Sequence, residues 1–112
     1  MKIQSIKNLP TLARKLCLTC DAWVVGGACV DKTPRDYDIV VSFQNWQQAA
    51  SLIPAEATVN TFGGWKYYDS DACVEMDIWP GDFMWLMTNK AFRYAWHPRS
   101  GVKYEKVEEF SQ

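Results

Sequence analysis

Two neighbouring runs, Trp23-Val24-Val25-Gly26-Gly27 and Asp36-Tyr37-Asp38-Ile39-Val40-Val41, decide the fold of this chain. Both are rich in residues that favour strands, and the double glycine at the end of the first run favours a tight turn. Successive side chains of a strand point to opposite faces, so Asp36 and Asp38 share one face while Tyr37 points to the other. The sequence therefore predicts two strands joined by a short connection, with an acidic pair at the start of the second.

A third aspartate lies in a later run with the same alternation, which reads Ala72-Cys73-Val74-Glu75-Met76-Asp77-Ile78-Trp79. If this strand lies beside the strand of the acidic pair, Asp36, Asp38 and Asp77 converge on one face. Carboxylates held close together raise one another's pKa unless a cation neutralises them, and their oxygens suit Mg²⁺ or Mn²⁺. We therefore predict a metal site at Asp36, Asp38 and Asp77, of the kind that supports phosphoryl or nucleotidyl transfer with two cations.

These elements resemble the nucleotidyltransferase superfamily, which includes DNA polymerase β, the CCA-adding enzymes and the minimal nucleotidyltransferases. The shared pattern is a Gly-Gly or Gly-Ser turn, an Asp-x-Asp pair and a third Asp on a later strand. In this chain it runs from about Trp23 to Trp79, roughly half of the sequence. The Asp-Tyr-Asp sequence and the Trp79-Pro80 pair look like those of a small bacteriophage-type member.

The resemblance implies a role for each residue of the pattern. Gly26 and Gly27 would hold the triphosphate of an NTP. Asp36 and Asp38 would bind both metals, and Asp77 would bind the catalytic metal and orient the attacking hydroxyl.

The chain departs from the pattern between the glycines and the acidic pair. CCA-adding enzymes usually carry an arginine shortly after the glycines, where this chain has Val30. Only eight residues separate Gly27 from Asp36, which is short for a helix whose N-terminus would cradle phosphates. We expect Lys32 and Arg35 to supply the positive charge for nucleotide binding.

The length and composition of the chain set the class of protein. A chain of 112 residues is expected to form a single domain, residues 1–112, of the α+β class with a small mixed sheet flanked by helices. Twelve basic and thirteen acidic residues leave a net charge of -1, so strong nonspecific binding to nucleic acid is not predicted. The sequence has neither a long apolar stretch nor a secretion signal. We expect a cytoplasmic protein without a membrane partner, located in the host cytoplasm if it is phage-encoded.

The remaining elements follow from periodicity and from breaker residues. We predict helices at Thr11–Cys20 and Asn45–Leu52 and strands at Ala22–Val25 and Tyr37–Phe43. We also predict one bent strand over Thr58–Phe62 and Trp65–Tyr68, paired with Cys73–Trp79. Phe83–Met87 is expected to be helical or irregular, and Lys103–Gln112 to be frayed, a strand or a helix.

Several chemically suggestive residues have simpler interpretations. Cys17 and Cys20 have the spacing of half a zinc site, but they fit the apolar side of a helix and are predicted to fill the core. Asp69-Ser70-Asp71 repeats the Asp-x-Asp spacing in a region that favours a turn. His97 is predicted to lie at the surface, and Trp65 or Tyr67 is a candidate to stack on a base near the acidic face. Lys66, Arg93 and Arg99 are candidate phosphate contacts, with solvated surface charges as the simpler interpretation.

The function that this pattern favours is metal-dependent transfer of an NMP from an NTP to a hydroxyl group. The acceptor would be an RNA (tRNA-like), a protein or a small molecule, and the cofactor Mg²⁺ or Mn²⁺. One alternative is a catalytically inactive protein of the same fold that acts as a binding or regulatory module for a partner protein. A second is a phosphodiesterase or nuclease that uses the same metals, although the double glycine favours transfer.

Overall fold

The computed structural model describes residues 5–82 and 92–106 of the chain. The elements within them are α1 (Thr11–Thr19), β1 (Ala22–Val25), β2 (Asp36–Val41), α2 (Trp46–Leu52), β3 (Thr58–Val59), β4 (Trp65–Asp69), β5 (Val74–Pro80), β6 (Tyr94–His97) and β7 (Val102–Glu105). The two α-helices pack on one seven-stranded sheet of order β3-β4-β5-β2-β1-β6-β7. Strands β2 and β5 are parallel and all other neighbours are antiparallel, so the predicted mixed sheet with helices is confirmed.

The parallel pairing of β2 with β5 lies at the centre of the sheet. In its register Tyr37 is opposite Met76 and Ile39 is opposite Ile78, and all four side chains are buried. Parallel strands need a long crossover connection, which here runs through α2 and the β3–β4 hairpin. The alternation of apolar and acidic side chains read from the sequence is therefore confirmed.

Both helices contribute to the larger core on the same face of the sheet. Leu12 and Leu16 of α1 and Ala49 of α2 belong to one buried cluster with Ile39 and Met76 of the sheet. Burial of the leucine, isoleucine and methionine side chains stabilises the fold by about 1.5–3 kcal/mol each. Among the described residues, no helix has both the length and the apolar character needed to cross a membrane.

The cysteines near this core are buried thiols. Cys17 and Cys20 have no exposed surface, and burial, with a smaller contribution from Cys20, raises the pKa of the Cys17 thiol to about 12. Burial also raises the pKa of Cys29 to about 12, and its Sγ–H donates to the carbonyl of Val24 at 3.2 Å. The prediction that Cys17 and Cys20 fill the core is confirmed.

The opposite face of the sheet carries a smaller apolar cluster. It consists of Val25, Val40, Trp79 and Ala95, with the partly buried Trp23 and Phe92 packed against them. The alternation of β2 and β5 puts the three aspartates, Asp36, Asp38 and Asp77, on this face. Apolar and acidic side chains therefore share one surface.

The segment before β5 is a hairpin, so the prediction of a single bent strand was wrong. Strands β3 and β4 pair antiparallel, and Asn60 organises the turn between them. Its Oδ1 accepts hydrogen bonds from the N–H groups of Phe62 at 3.0 Å and Gly64 at 2.9 Å. Its Nδ2 donates to the carbonyl of Trp65 at 2.9 Å. Local bonds of this kind favour a turn over a continuous strand.

The register of β4 also corrects an expectation about aromatic residues. Trp65 is opposite Ile78 and Tyr67 is opposite Met76, so both point to the helical face. The prediction that one of them stacks on a base near the acidic residues was therefore wrong. The predicted pairing of this strand with β5 is confirmed.

Other predicted elements differ from the structure at their ends. Helix α1 ends at Thr19, α2 begins at Trp46 and β2 ends at Val41. The segment predicted as Lys103–Gln112 contributes to β7, and its part beyond residue 106 lies outside the described residues. The whole of Phe83–Met87 also lies outside them.

His97 is buried, with 7% of its surface exposed, so the prediction of a surface residue was wrong. Its Nε2 lies 2.6 Å from Asp21 Oδ1 and its Nδ1 lies 2.7 Å from Ser100 Oγ. The backbone N–H of Ser100 also donates to Nδ1 at 3.2 Å, which makes Nδ1 the acceptor and Nε2–H the donor to Asp21. The ring meets Trp23 edge-on at 4.9 Å between centroids. His97 thereby joins the β6–β7 turn to the start of β1.

The close approach of the β3–β4 turn to β5 gives a stability prediction. A Cβ on Gly64 would lie 1.9 Å from the carbonyl oxygen of Ile78, so Gly64→Ala must displace backbone. We expect it to lower the free energy of unfolding by about 3 kcal/mol. Gly27→Ala is the matched control, because a Cβ there meets nothing within 4 Å, and it should change stability by less than about 0.5 kcal/mol. Equal midpoints in urea unfolding for the two variants would contradict this explanation.

Candidate functional site

The register of β2 and β5 brings the predicted carboxylates to adjacent positions. Asp38 is opposite Asp77 and Asp36 is opposite Glu75, on strands about 4.8 Å apart. Asp36 is exposed, whereas Asp38 and Asp77 are half-buried. The expectation that these two strands are neighbours, on which the predicted convergence depended, is confirmed.

Asp38 is the most perturbed of these carboxylates. Its pKa is raised from the ordinary value of 3.8 to about 6, mainly by burial and then by the negative charges of Asp77 and Asp36, while Lys66 lowers it. Removal of water destabilises the ionised form, and like charges add to that cost. The site thus carries negative charge that a cation would stabilise.

Asp77 is held in place by the β3–β4 turn. The Nδ2 group of Asn60 donates to Asp77 Oδ1 at 3.2 Å and lies 3.5 Å from the carbonyl oxygen of Ile78. The same side chain shapes its own turn through Phe62 and Gly64. Asn60 therefore fixes the orientation of Asp77, a role that no sequence motif indicated because the contact spans 17 residues.

Lys66 brings a positive charge to the acidic face. It is opposite Asp77 in the β4–β5 register, and its Nζ lies 3.4 Å from Glu75 Oε1. The hydrogen bond to Glu75 and the charges of Asp77 and Glu75 raise the pKa of this exposed amine. The expected phosphate contact by Lys66 is compatible with this position, since an ammonium group here can neutralise an anion next to the carboxylates.

The glycine turn lies beside Asp38. Gly26 has φ +78°, the left-handed conformation that favours glycine, and a Cβ on it would lie 3.7 Å from Asp38 Oδ2 and 3.5 Å from the ring of Phe92. Residues Gly26–Cys29 form a short 3₁₀ helix, and Gly27 is exposed. The backbone can therefore approach a ligand that is bound at Asp38.

The two other predicted nucleotide-binding residues lie elsewhere or at the margin. Lys32 lines a cleft of about 610 Å³ together with Tyr37 and Val74, whose side chains point to the helical face. Arg35 is exposed, and its carbonyl oxygen accepts the N–H of Glu75 at 2.8 Å. The structure thus does not bring Lys32 to the aspartates, and the nucleotide-binding roles of Lys32 and Arg35 stay predictions.

A row of aromatic rings continues from the acidic residues along the same face. Trp79 follows Asp77 by two positions and points the same way. Its ring centroid lies 5.1 Å from that of Phe62 and 5.9 Å from that of Phe92. No sequence pattern indicates this row, because Phe62 and Phe92 reach Trp79 from distant segments of the chain.

The second Asp-x-Asp sequence serves as an internal comparison. Asp69 is buried, and its Oδ1 accepts the N–H groups of Asp71 at 3.0 Å and Ala72 at 3.1 Å. These bonds form the turn between β4 and β5. The prediction of a structural role for this sequence is confirmed, so spacing alone does not distinguish a site from a turn.

The donor set on the acidic face fits a hard divalent cation in its chemistry. It offers carboxylate oxygens at neighbouring strand positions, and one of these carboxylates, the half-buried Asp38, has a raised pKa. In residues 5–82 and 92–106, however, no group of three His, Cys, Asp or Glu side chains is arranged to hold a metal ion as it stands.

Comparisons of the chain with protein-family models, with curated proteins and with solved structures find no match. The resemblance to the nucleotidyltransferases therefore rests on the motif alone. The geometry around Asp36, Asp38 and Asp77 is an independent observation of this structure.

The raised pKa of Asp38 predicts how stability depends on pH without added metal. The Asp38 carboxyl group keeps its proton up to about pH 6 in the folded protein but loses it near pH 3.8 in the unfolded chain. Ionisation of Asp38 therefore lowers the free energy of unfolding as the pH rises, with no effect below about pH 4 and the full effect above about pH 6. Asp38→Asn removes this effect. The shift corresponds to about 3 kcal/mol, and because the carboxylate is partly solvated we expect a gain of about 1–2 kcal/mol at pH 8.

The measurement is urea unfolding of the parent and Asp38→Asn proteins in EDTA at pH 4 and pH 8. The advantage of the variant should vanish at pH 4. A variant that is less stable than the parent at pH 8 would show that Asp38 is not electrostatically strained.

Proposed function

We propose that this protein is a metal-dependent nucleotidyltransferase built on a small nucleotidyltransferase-like sheet. It would transfer an NMP from an NTP to a hydroxyl group of an RNA, a protein or a small molecule. The observation that carries the proposal is the parallel β2–β5 register that puts Asp38 beside Asp77, with the Gly26 turn next to Asp38. The proposed setting is the cytoplasm, or the host cytoplasm for a phage-encoded protein.

The side chains of Asp36, Asp38 and Asp77 would hold Mg²⁺ or Mn²⁺. When bound, the metal would lower the pKa of an attacking hydroxyl and neutralise charge on the phosphates. The donor chemistry and the raised pKa of Asp38 support this assignment.

The other groups of the site would act mainly by positioning and charge. Asn60 keeps Asp77 in one orientation through its hydrogen bond, which favours a fixed reaction geometry. Gly27 of the glycine turn is exposed, and a Cβ on it would meet nothing within 4 Å, so its backbone would be open to a phosphate. Lys66, opposite Asp77, would stabilise negative charge that develops on the phosphates during transfer.

A second candidate function is a catalytically inactive binding or regulatory module of the same fold. Two observations favour it. The acidic side chains are not arranged as a closed metal group within the described residues, and Phe43 and Phe62 expose large apolar surfaces on the same side of the sheet. Such surfaces often mark interaction sites.

Thermal unfolding with each NTP and Mg²⁺ or Mn²⁺ distinguishes the two candidates. A ligand at about 100 times its dissociation constant stabilises a folded protein by about 2.7 kcal/mol, so the parent should show a metal-dependent rise in Tm with at least one NTP. The double variant Asp36→Asn/Asp38→Asn should lose this rise because it removes two of the three predicted ligands. Transfer of a labelled NMP should be lost with it.

Asp71→Asn is the matched control, because Asp71 belongs to the other Asp-x-Asp sequence and is exposed in a turn. This variant should keep the full nucleotide response. An unchanged response in the Asp36→Asn/Asp38→Asn protein would disprove the metal role. The absence of any response in the parent would favour the binding module.

A further inference from the structure

An aromatic cleft of about 350 Å³ opens next to the acidic face. It is lined by Phe43, Phe62, Trp79, Pro80, Gly81 and Asp82. Its volume lies within the usual range of small-molecule sites. Phe43 and Phe62 are 64% and 55% exposed, so two aromatic rings at its walls are open to a ligand.

The cleft is continuous with the predicted metal ligands. Trp79 and Asp77 lie on one strand and one face, two residues and therefore about 7 Å apart. Phe92 connects Trp79 to the glycine turn, since its ring stacks on Trp79 and lies near Gly26. A ligand that extends from the Gly26 turn across Asp38 and Asp77 would reach the cleft with its far end.

The charges along this path differ between its two ends. The acidic end has Lys66 opposite Asp77 and the carboxylates of Asp36, Asp38 and Asp77 at neighbouring strand positions. The described residues that line the cleft include no lysine or arginine and do include Asp82. Phosphates are therefore disfavoured in the cleft, whereas a flat, uncharged aromatic group is favoured by stacking on its rings.

A nucleoside triphosphate has this same polarity, with a charged chain at one end and a flat base at the other. We propose that the cleft between Phe43, Phe62 and Trp79 is the subsite for the base of the NTP. This inference rests on the proposed function and adds the residues that recognise the base. The exposed ring that the β3–β4 turn contributes is that of Phe62, whose backbone N–H donates to Asn60 Oδ1 at 3.0 Å.

The test compares two ligands that differ in the base. Binding of Mg²⁺-tripolyphosphate and of each Mg²⁺-NTP is measured by calorimetry for the parent and for Phe62→Ala. We expect the parent to bind at least one NTP about tenfold more tightly than tripolyphosphate, as stacking of one base allows. Phe62→Ala should lose most of this preference while its affinity for tripolyphosphate stays unchanged.

Leu18→Ala is the matched control, because Leu18 is also an exposed apolar residue, 53% exposed, but belongs to α1. It should keep the preference, as should Phe62→Trp, which retains an aromatic face. Phe43→Ala should weaken NTP binding in the same direction as Phe62→Ala. Urea unfolding of each variant verifies that the fold is intact.

The outcomes separate this inference from the function on which it rests. If the parent binds tripolyphosphate and NTPs equally, or if Phe62→Ala keeps the preference, the base subsite is wrong and the metal-triphosphate site stands. If the parent binds neither tripolyphosphate nor any NTP, both the proposed function and the base subsite are wrong.

Discussion

The in-register parallel pairing of β2 with β5 is the constraint on which the rest of the structure depends. One register puts Ile39 beside Ile78 in the larger core and Asp38 beside Asp77 on the opposite face. A shift by one residue would exchange the two faces, which would bury the carboxylates and expose the isoleucines. The packing of the core on the helical face therefore fixes the register of β2 and β5, and this register fixes the positions of the carboxylates on the acidic face.

The two faces of this strand pair have opposite effects on the stability of the fold. The burial of Ile39, Met76 and Ile78 stabilises the sheet, whereas the raised pKa of Asp38 shows that the ionised acidic face opposes folding. Strain of this kind is common at functional sites, because groups arranged for a ligand are not arranged for the ligand-free protein. Asp69 differs from Asp38 in this respect, because its carboxylate accepts two backbone hydrogen bonds that stabilise the turn between β4 and β5.

Sequence reasoning could identify what depends on local pattern. Alternation in Asp36–Val41 and in Ala72–Trp79 predicted both strands and the face of each aspartate, and helical spacing predicted that Cys17 and Cys20 are buried. The sequence prediction was wrong where contacts with residues far away in the chain determine the position of a side chain. His97 is buried, and its partner Asp21 lies 76 positions away in the chain. Lys32 is close to the acidic pair in sequence but lines a cleft of the other face.

The turn around Asn60 connects the fold to the site through contacts that the sequence motif of the three aspartates does not include. Gly64 lets this turn lie against the backbone of β5, and that proximity allows one amide to contact Asp77 while it shapes the loop that carries Phe62. A movement of the turn would therefore displace a carboxylate of the acidic face and an aromatic wall of the cleft together. The charged and aromatic parts of this surface are thus mechanically coupled, which suits a ligand that has to be held at both ends at once.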